Sequence, residues 1–367
     1  MKTKIGFVGV GNISGIYFEN ITKRFRDLEI AGICDLIPEK AEKAAKKYGI
    51  SKIYKDMHEL FADPEVDIVL NITRPYEHFD VSLAALNAGK HVYCEKPLGV
   101  SIEEGKILTA LAKEKGLYLG GAPDTFLGAG IQTCRALVDE GAIGSIVGAA
   151  AFMICHGHET WHPDPEFYYK RGGGPMFDMG PYYLTALVNL LGPVQSVSGM
   201  TGISFPQRTI TSEPLNGTVI DVDVPTYVTG LLQFTSGAIG TIFTTFDVHY
   251  DHGARLEVYG SEGTLQVPDP NGFGGPVELL KGGARSYKKQ KLRYTYEGNS
   301  RALGLADMAS AIASKRAARC NSDMTNHVLE IMCALHIAAA EKRQITLETT
   351  FERCPLMAKG LPMGKLD

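Results

Sequence analysis

The sequence predicts an α/β fold in two parts: a doubly wound N-terminal half on a parallel sheet, then an α+β half with mostly antiparallel strands. Three observations carry this. Short apolar runs alternate with amphipathic stretches up to about residue 122. A glycine turn stands where the first run gives way to the first helical pattern. After Pro123 come Val-, Ile-, Thr- and aromatic-rich segments bounded by Gly and Pro, the texture of strands joined by hairpins. The expected domains are therefore 1–122 and 123–367.

In the first half the runs Ile5–Val8, Glu29–Cys34, Val66–Ile72, His91–Cys94 and Leu117–Gly120 are read as strands. Between them lie helical patterns such as Pro38–Tyr48 and Ile102–Lys115, where Ile102, Leu108, Leu111 and Ala112 recur at near-helical spacing. The second half opens with a helix at about Gly130–Glu140. Strands follow at Ile146–Ile154, Val194–Gly199, Thr226–Phe234, Ala238–Phe246, Leu256–Tyr259 and Thr264–Val267. Thr235-Ser236-Gly237 and Gly260-Ser261-Glu262-Gly263 have the composition of hairpin connections. Helical patterns return at Tyr182–Leu191 and Met324–Lys342, and the Gly/Lys-rich stretch Lys281–Lys291 reads as an exposed loop.

Composition narrows the function. The 367 residues, 44% hydrophobic and 21% charged, suffice for two packed domains. A formal net charge of -4 offers no excess of cations for a phosphate backbone or anionic lipid, so neither nucleic acid nor membrane is an expected partner. No apolar stretch reaches the roughly 20 residues of a spanning helix. Met1-Lys2-Thr3-Lys4 leads straight into a strand pattern, unlike a signal peptide, and a cytoplasmic location is expected. The seven cysteines are scattered and never spaced as CxxC, which reads as reduced packing residues.

The cofactor signal begins at Gly9-Val10-Gly11-Asn12-Ile13-Ser14-Gly15, directly after the first strand. Gly9 permits a tight turn, and Gly11 lets the backbone approach a pyrophosphate that the helix N-terminus stabilises. Asn12 and Ile13 complete the turn, and Ser14 stands where the fingerprint has its third glycine. Asp35 ends the second strand about 25 residues on, where a carboxylate accepts from ribose hydroxyls and repels a 2′-phosphate. NAD is thus expected over NADP. After another strand, Asn71-Ile72-Thr73-Arg74-Pro75-Tyr76-Glu77-His78 supplies Thr73 and His78 as candidate cofactor contacts, His78 being equally suited to orienting the next helix.

A further strand ends in Val92-Tyr93-Cys94-Glu95-Lys96-Pro97-Leu98, at the sheet edge where α/β proteins place ligands. With the glycine turn, Cys34-Asp35 and the later Gly172-Gly173-Gly174-Pro175-Met176-Phe177-Asp178-Met179-Gly180, this order of motifs resembles the Gfo/Idh/MocA oxidoreductases, a family that includes glucose-fructose oxidoreductase and inositol dehydrogenase. The resemblance covers nearly the whole chain. It implies an N-terminal Rossmann domain, a C-terminal domain with an open-faced sheet, and an active site in the cleft between them. It also implies an oligomer, a homodimer or homotetramer paired through that sheet, and the oxidation of a secondary alcohol of a sugar, polyol or inositol-like substrate with NAD.

Within that frame Lys96 is the expected catalytic lysine, its ammonium stabilising alkoxide character as hydride leaves carbon. Glu95 beside it is expected at the cofactor. Asp178 and Tyr182 lie four residues apart at the start of a helical pattern and are expected to share one face. The family pattern here is Asp-x-x-x-His; Tyr182 takes the histidine's place and with it the expected role of proton acceptor, Tyr183 being its neighbouring rival. Upstream, His156-Gly157-His158-Glu159-Thr160-Trp161-His162 follows a strand, and His156, His158, Trp161 and His162 are candidates to line a carbohydrate pocket. Their spacing is no standard zinc pattern, and no metal is expected. Two alternatives remain open: a member that keeps NAD bound while cleaving a glycoside by oxidation and elimination, and a nucleotide-binding regulator without turnover.

Overall fold

Strand β1 (Thr3–Val8) is the centre on which the first domain is laid down: Ile5, Phe7 and Val8 are buried between helices on both faces of the sheet. The computed structural model describes residues 2–250, 253 and 255–367. Helix α1 (Ser14–Lys23), β2 (Leu28–Cys34), α2 (Pro38–Tyr48), α3 (Met57–Ala62), β3 (Ile68–Asn71), α4 (His78–Asn87), β4 (His91–Cys94), α5 (Ile102–Glu114) and β5 (Leu119–Gly121) follow in order. The strands form a parallel sheet in the order β2-β1-β3-β4-β5. The chain leaves β1 in one direction to reach β2 and in the other to reach β3. The carboxyl ends of β1 and β3 therefore border the crevice where such sheets bind ligands. The expected doubly wound domain is present.

The second domain begins with α6 (Ala129–Asp139) and β6 (Ile146–Ile154), then α7 (Gly174–Asp178), α8 (Gly180–Leu191) and β7 (Val194–Gly202). A hairpin of β8 (Gln207–Thr209) and β9 (Val219–Asp221) stands apart, ahead of β10 (Tyr227–Phe234), β11 (Ile239–Thr245), β12 (Arg255–Gly260), β13 (Gly263–Val267), β14 (Val277–Lys281) and β15 (Lys288–Gln290). Helices α9 (Leu303–Ser314) and α10 (Ser322–Glu341) and the short β16 (Ile345–Thr346) close the chain of elements. The large sheet runs β15-β14-β13-β12-β6-β11-β10-β7-β16, and each neighbouring pair is antiparallel except β6 with β11.

Alternation sorts the two faces of this sheet. Val228, Leu232, Ile242, Leu256 and Val258 point inward, toward a layer that includes α6, α8 and α10. Met200, Tyr227, Leu231 and Ile239 lie exposed on the other face. Gly199 and Gly230 pair across β7 and β10 and leave room for Leu335 of α10. One expectation is corrected: Lys281–Lys291 is not simply a loop, since Lys288–Gln290 forms the edge strand β15 against β14. Lysine-rich residues suit an edge because they keep it solvated and discourage further pairing. No helix among the described residues is long and apolar enough to cross a membrane.

The last third of the chain returns to the first domain. Gly121 N–H donates to Cys320 O at 3.1 Å, so the turn between α9 and α10 covers the β5 edge. A Cβ on Gly120 would lie 1.9 Å from that same carbonyl oxygen. Gly120→Ala should therefore lower stability by about 2 kcal/mol or more through overpacking against backbone, whereas Gly202→Ala, where a Cβ meets nothing within 4 Å, should stay within about 0.5 kcal/mol of wild type. Denaturant melts of the two variants decide it; equal stability would show that the β5 edge yields to the C-terminal segment.

Candidate active site

Gly9 has φ +95°, and an added Cβ would sit 2.8 Å from Ile72 O, so the turn needs a glycine to pass the end of β3. A Cβ on Gly11, by contrast, would meet nothing within 4 Å: the backbone there borders open space that a ligand can approach. The Ser14 hydroxyl donates to Gly11 O at 2.7 Å, which explains how serine serves at the fingerprint's third position. Ile13 gives α1 no side-chain cap, and an uncapped helix start suits an anion. The Asp35 carboxylate accepts from Val10 N–H at 2.7 Å and Ile37 N–H at 2.8 Å, one bond on each oxygen, and so retains acceptor capacity. Leu36, 88% exposed, adds an apolar surface beside it. These features fit a dinucleotide, with its pyrophosphate over Gly11 and its adenosine ribose at Asp35.

The other residues expected at the cofactor lie at the ends of β3 and β4 and at the start of α4. Thr73 is half-buried at the end of β3, its hydroxyl donating to Asn71 Oδ1 at 2.7 Å. His78 is buried, with Nδ1 2.6 Å from Pro97 O and Nε2 3.2 Å from Thr73 O, an arrangement that suits the helix-orienting one of its two expected roles. Burial lowers its pKa, so the ring is neutral and donates from one nitrogen, Nδ1 by the shorter contact. It holds the Pro97 loop by that bond, lies beside the Thr73 carbonyl and starts α4. Glu95 is likewise buried, accepting from the Tyr17 hydroxyl at 2.7 Å and from Lys96 N–H at 3.0 Å, and it braces α1 against the end of β4.

Lys96 follows directly and crosses to the second domain. Its ammonium donates to Asp178 Oδ1 and to the Asp178 carbonyl, both at 2.8 Å. The local sequence frees that carbonyl: Gly180-Pro181 interrupts the helix, Tyr182 N–H turns to Met179 O, and α7 ends at Asp178 with an orphan acceptor. Asp178 and Tyr182 thus meet Lys96 across a break between two helices rather than on one continuous helix face. The Tyr182 ring centroid lies 5.3 Å from the ammonium. Tyr183, its expected rival, is buried as well.

Burial alone would raise the Asp178 pKa, but the Lys96 ammonium and the hydrogen bond to His158 outweigh it and hold the carboxyl well below the usual range. Burial would likewise lower Lys96, yet Asp178, Tyr182 and Glu95 together raise it. At neutral pH the pair is an ammonium and a carboxylate. Burial raises the Tyr182 phenol, offset only in part by the positive charges of Lys96 and Arg301.

The histidine segment divides. Gly157 has φ +87° and turns the chain between two histidines. His156 stacks on His249 with ring centroids 3.6 Å apart. His158 instead joins the cluster, its Nε2 3.1 Å from Asp178 Oδ2. Trp161 stands edge-on to His158 and is 60% exposed. His162 is placed at the glycine turn: its Nε2 is 3.0 Å from Asn12 Nδ2, while Nδ1 accepts from Asp164 N–H. A second link between the domains pairs Arg74 with Asp164 at 2.8 Å.

Sequence reading missed Arg208 and Arg301. Arg208, on β8, is buried between Glu159, at 2.8 Å, and Asp247, and also donates to Phe246 O at 2.9 Å. Glu159 accepts in turn from the Tyr169 hydroxyl, and His158 N–H donates to that phenol oxygen at 3.4 Å. The only signal was an arginine in a short alternating hairpin, and its partners lie about 40–50 residues away in sequence.

Comparison with known proteins matches residues 3–121 to "Oxidoreductase family, NAD-binding Rossmann fold" and residues 131–266 to "GFO/IDH/MocA C-terminal domain". The chain is 28% identical to myo-inositol 2-dehydrogenase of Thermotoga maritima, over 71% of this chain and 74% of that protein. It is 27% identical to scyllo-inositol 2-dehydrogenase (NAD(+)) of Bacillus subtilis, over 72% and 74%. Among solved structures, levoglucosan dehydrogenase in complex with NADH and levoglucosan superposes with a TM-score of 0.82 at 20% identity, covering 95% of this chain and all of that one, a likeness of fold.

Removing Arg208 leaves two buried carboxylates without their cation. Arg208→Met should cost about 3 kcal/mol or more in stability, well beyond the median for a surface pair. Thermal melts at neutral pH check this; a variant as stable as wild type would show that Glu159 and Asp247 find other partners.

Proposed function

Since the chain belongs to the GFO/IDH/MocA oxidoreductases, we propose that it is an NAD-dependent dehydrogenase moving hydride between nicotinamide and a secondary alcohol of a sugar, polyol or inositol-like substrate. The observation that carries this reading is the Lys96 ammonium, half-buried at the carboxyl edge of the parallel sheet and ion-paired with Asp178 of the second domain. Bound NAD supplies the hydride acceptor. Gly9, Gly11, Asn12, Ile13 and Thr73 border it, and Asp35 accepts from its adenosine ribose hydroxyls. Lys96 stabilises negative charge on the substrate oxygen, Asp178 fixes the ammonium, and Tyr182 walls the same cluster. The exposed face of Trp161 offers a flat surface for a carbohydrate ring. The relatives' names, inositol dehydrogenases and levoglucosan dehydrogenase, support the substrate class.

Two finer points belong to the same proposal. The apolar face bearing Met200, Tyr227, Leu231 and Ile239 is assigned to a homodimer or homotetramer contact. The seven cysteines are all unpaired, which suits the reducing cytoplasm.

NADH formation across a panel of inositols, sugars and polyols tests the activity; no NADH from any of them would overturn it. With a substrate in hand, kcat/KM for NAD should exceed that for NADP by about tenfold or more, the repulsion between Asp35 and a 2′-phosphate being worth at least 1.4 kcal/mol. Equal use of NADP would remove Asp35 from the ribose. Lys96→Ala should cut single-turnover hydride transfer by about 100-fold or more while NAD affinity stays within about threefold by titration, because the ammonium serves the reacting oxygen. A variant with wild-type turnover would take Lys96 out of the chemistry.

A further inference from the structure

Four polar side chains converge at the cleft: Lys96, Asp178, Tyr182 and His158. Oxidation of an alcohol releases a proton as well as a hydride, and one group must take it. We propose that His158 is that group, with Asp178 as the carboxylate that orients its ring. The proposal rests on the dehydrogenase reading above.

The other three are each committed elsewhere. Lys96 keeps its proton and presents an ammonium, which has no lone pair to offer. Asp178 uses Oδ1 on that ammonium and Oδ2 on His158, and protonating it would strip a half-buried cation of its counter-charge. The Tyr182 ring is buried, which raises its phenol so that it holds its own proton, and the Lys96 ammonium lies over the face of the ring rather than at its oxygen. A phenol already protonated cannot accept.

His158 has the complementary arrangement. A neutral imidazole that donates Nε2–H to Asp178 Oδ2 carries its lone pair on Nδ1, and the carboxylate stabilises the imidazolium once it forms. The ring is held by neighbours on several sides: Tyr168 at 4.2 Å, Phe246 at 4.6 Å and Trp161 at 5.3 Å between centroids. Below it, the chain is pinned through Tyr169 to Glu159 and Arg208. The titratable or charged groups facing it are Asp178 at the end of α7, Lys96 behind that carboxylate, Tyr168 from the turn before α7, and His162 of its own segment.

The step balances. The substrate O–H bond breaks and its proton passes to His158 Nδ1, while the electron pair of that bond becomes the second bond of the new carbonyl. The C–H bond breaks with its pair, which leaves as hydride to NAD+, the oxidant. Lys96 holds the negative charge that builds on oxygen, and the imidazolium then gives its proton to water. In reduction the same imidazolium is the donor.

The test compares His158→Gln, Tyr182→Phe and wild type in the oxidation direction, with pH profiles, NAD titrations and melting temperatures for each. His158→Gln should lose about 100-fold or more in kcat at unchanged NAD affinity. It should also lose the acid limb, the fall in rate at low pH that marks protonation of the base. Tyr182→Phe should lose less than about tenfold and keep that limb, since it forfeits a hydroxyl and no base. His158→Ala supplied with free imidazole is the second reading: rates rising with imidazole mark a lost base. Overturning results are a His158→Gln rate within about threefold of wild type, an acid limb that vanishes only in Tyr182→Phe, or no rescue by imidazole in a folded His158→Ala. Should His158→Gln fail to fold, the alanine variant and the Tyr182→Phe profile decide alone. Wild-type enzyme that makes no NADH from any alcohol sinks the dehydrogenase reading itself; wild-type turnover with an indifferent His158 sinks only this proposal.

Discussion

An ammonium largely withdrawn from water is tolerable only if its charge is matched, and the match for half-buried Lys96 comes from the other domain. Asp178 supplies both a carboxylate oxygen and a helix-terminal carbonyl at 2.8 Å. Desolvating both charges costs several kcal/mol per ion, so the pair persists only where the geometry is fixed from both sides. On one side the end of β4 fixes it, with Glu95 locked to Tyr17. On the other, the Gly180-Pro181 break ends α7 and exposes the carbonyl. Turning either element would leave a charge buried without its partner.

The rest of the cleft is arranged around that pair. The segment from His156 to Gly173 leaves the large sheet, passes His158 to Asp178, and reaches the first domain at Asn12 and Arg74. It carries little regular structure of its own, and the Arg208 cluster beneath it and the Ser212 hydroxyl on His162 O help to hold it. A cation shared by Glu159 and Asp247 joins that segment to the end of β11 and to the β8–β9 hairpin. The same segment that puts an imidazole on Asp178 thereby brings a second histidine to the glycine turn.

The parallel sheet was legible because strands buried on both faces read as continuous apolar runs, Ile68 to Asn71 being the clearest. The positions of the glycine turn, Asp35, Lys96 and Asp178 were legible because each stands at or beside the end of a strand or helix. The β8–β9 hairpin was not: each strand has three residues, of which one is buried, too short for alternation to register. His78 carries two readings in the sequence because a polar residue after a strand points to a ligand or to a loop carbonyl with equal ease, and here it lies against two carbonyls. His156 and His158, two apart, would share a face in a strand; a positive φ at Gly157 separates them. Pairings such as Asp178 with His158 or Arg208 with Glu159 depend on where distant segments land, and local pattern does not encode that.

The central claim is that this cleft passes hydride directly between a substrate carbinol carbon and nicotinamide, in a site organised by the Lys96–Asp178 pair. The most direct measurement follows deuterium from the carbinol carbon of whichever alcohol gives NADH, using that alcohol deuterated at the oxidised position. The account predicts that the label appears at C4 of the recovered nicotinamide, one deuterium per carbonyl formed. Product formed with the label lost to water, or with no reduced nicotinamide accumulating, would contradict it.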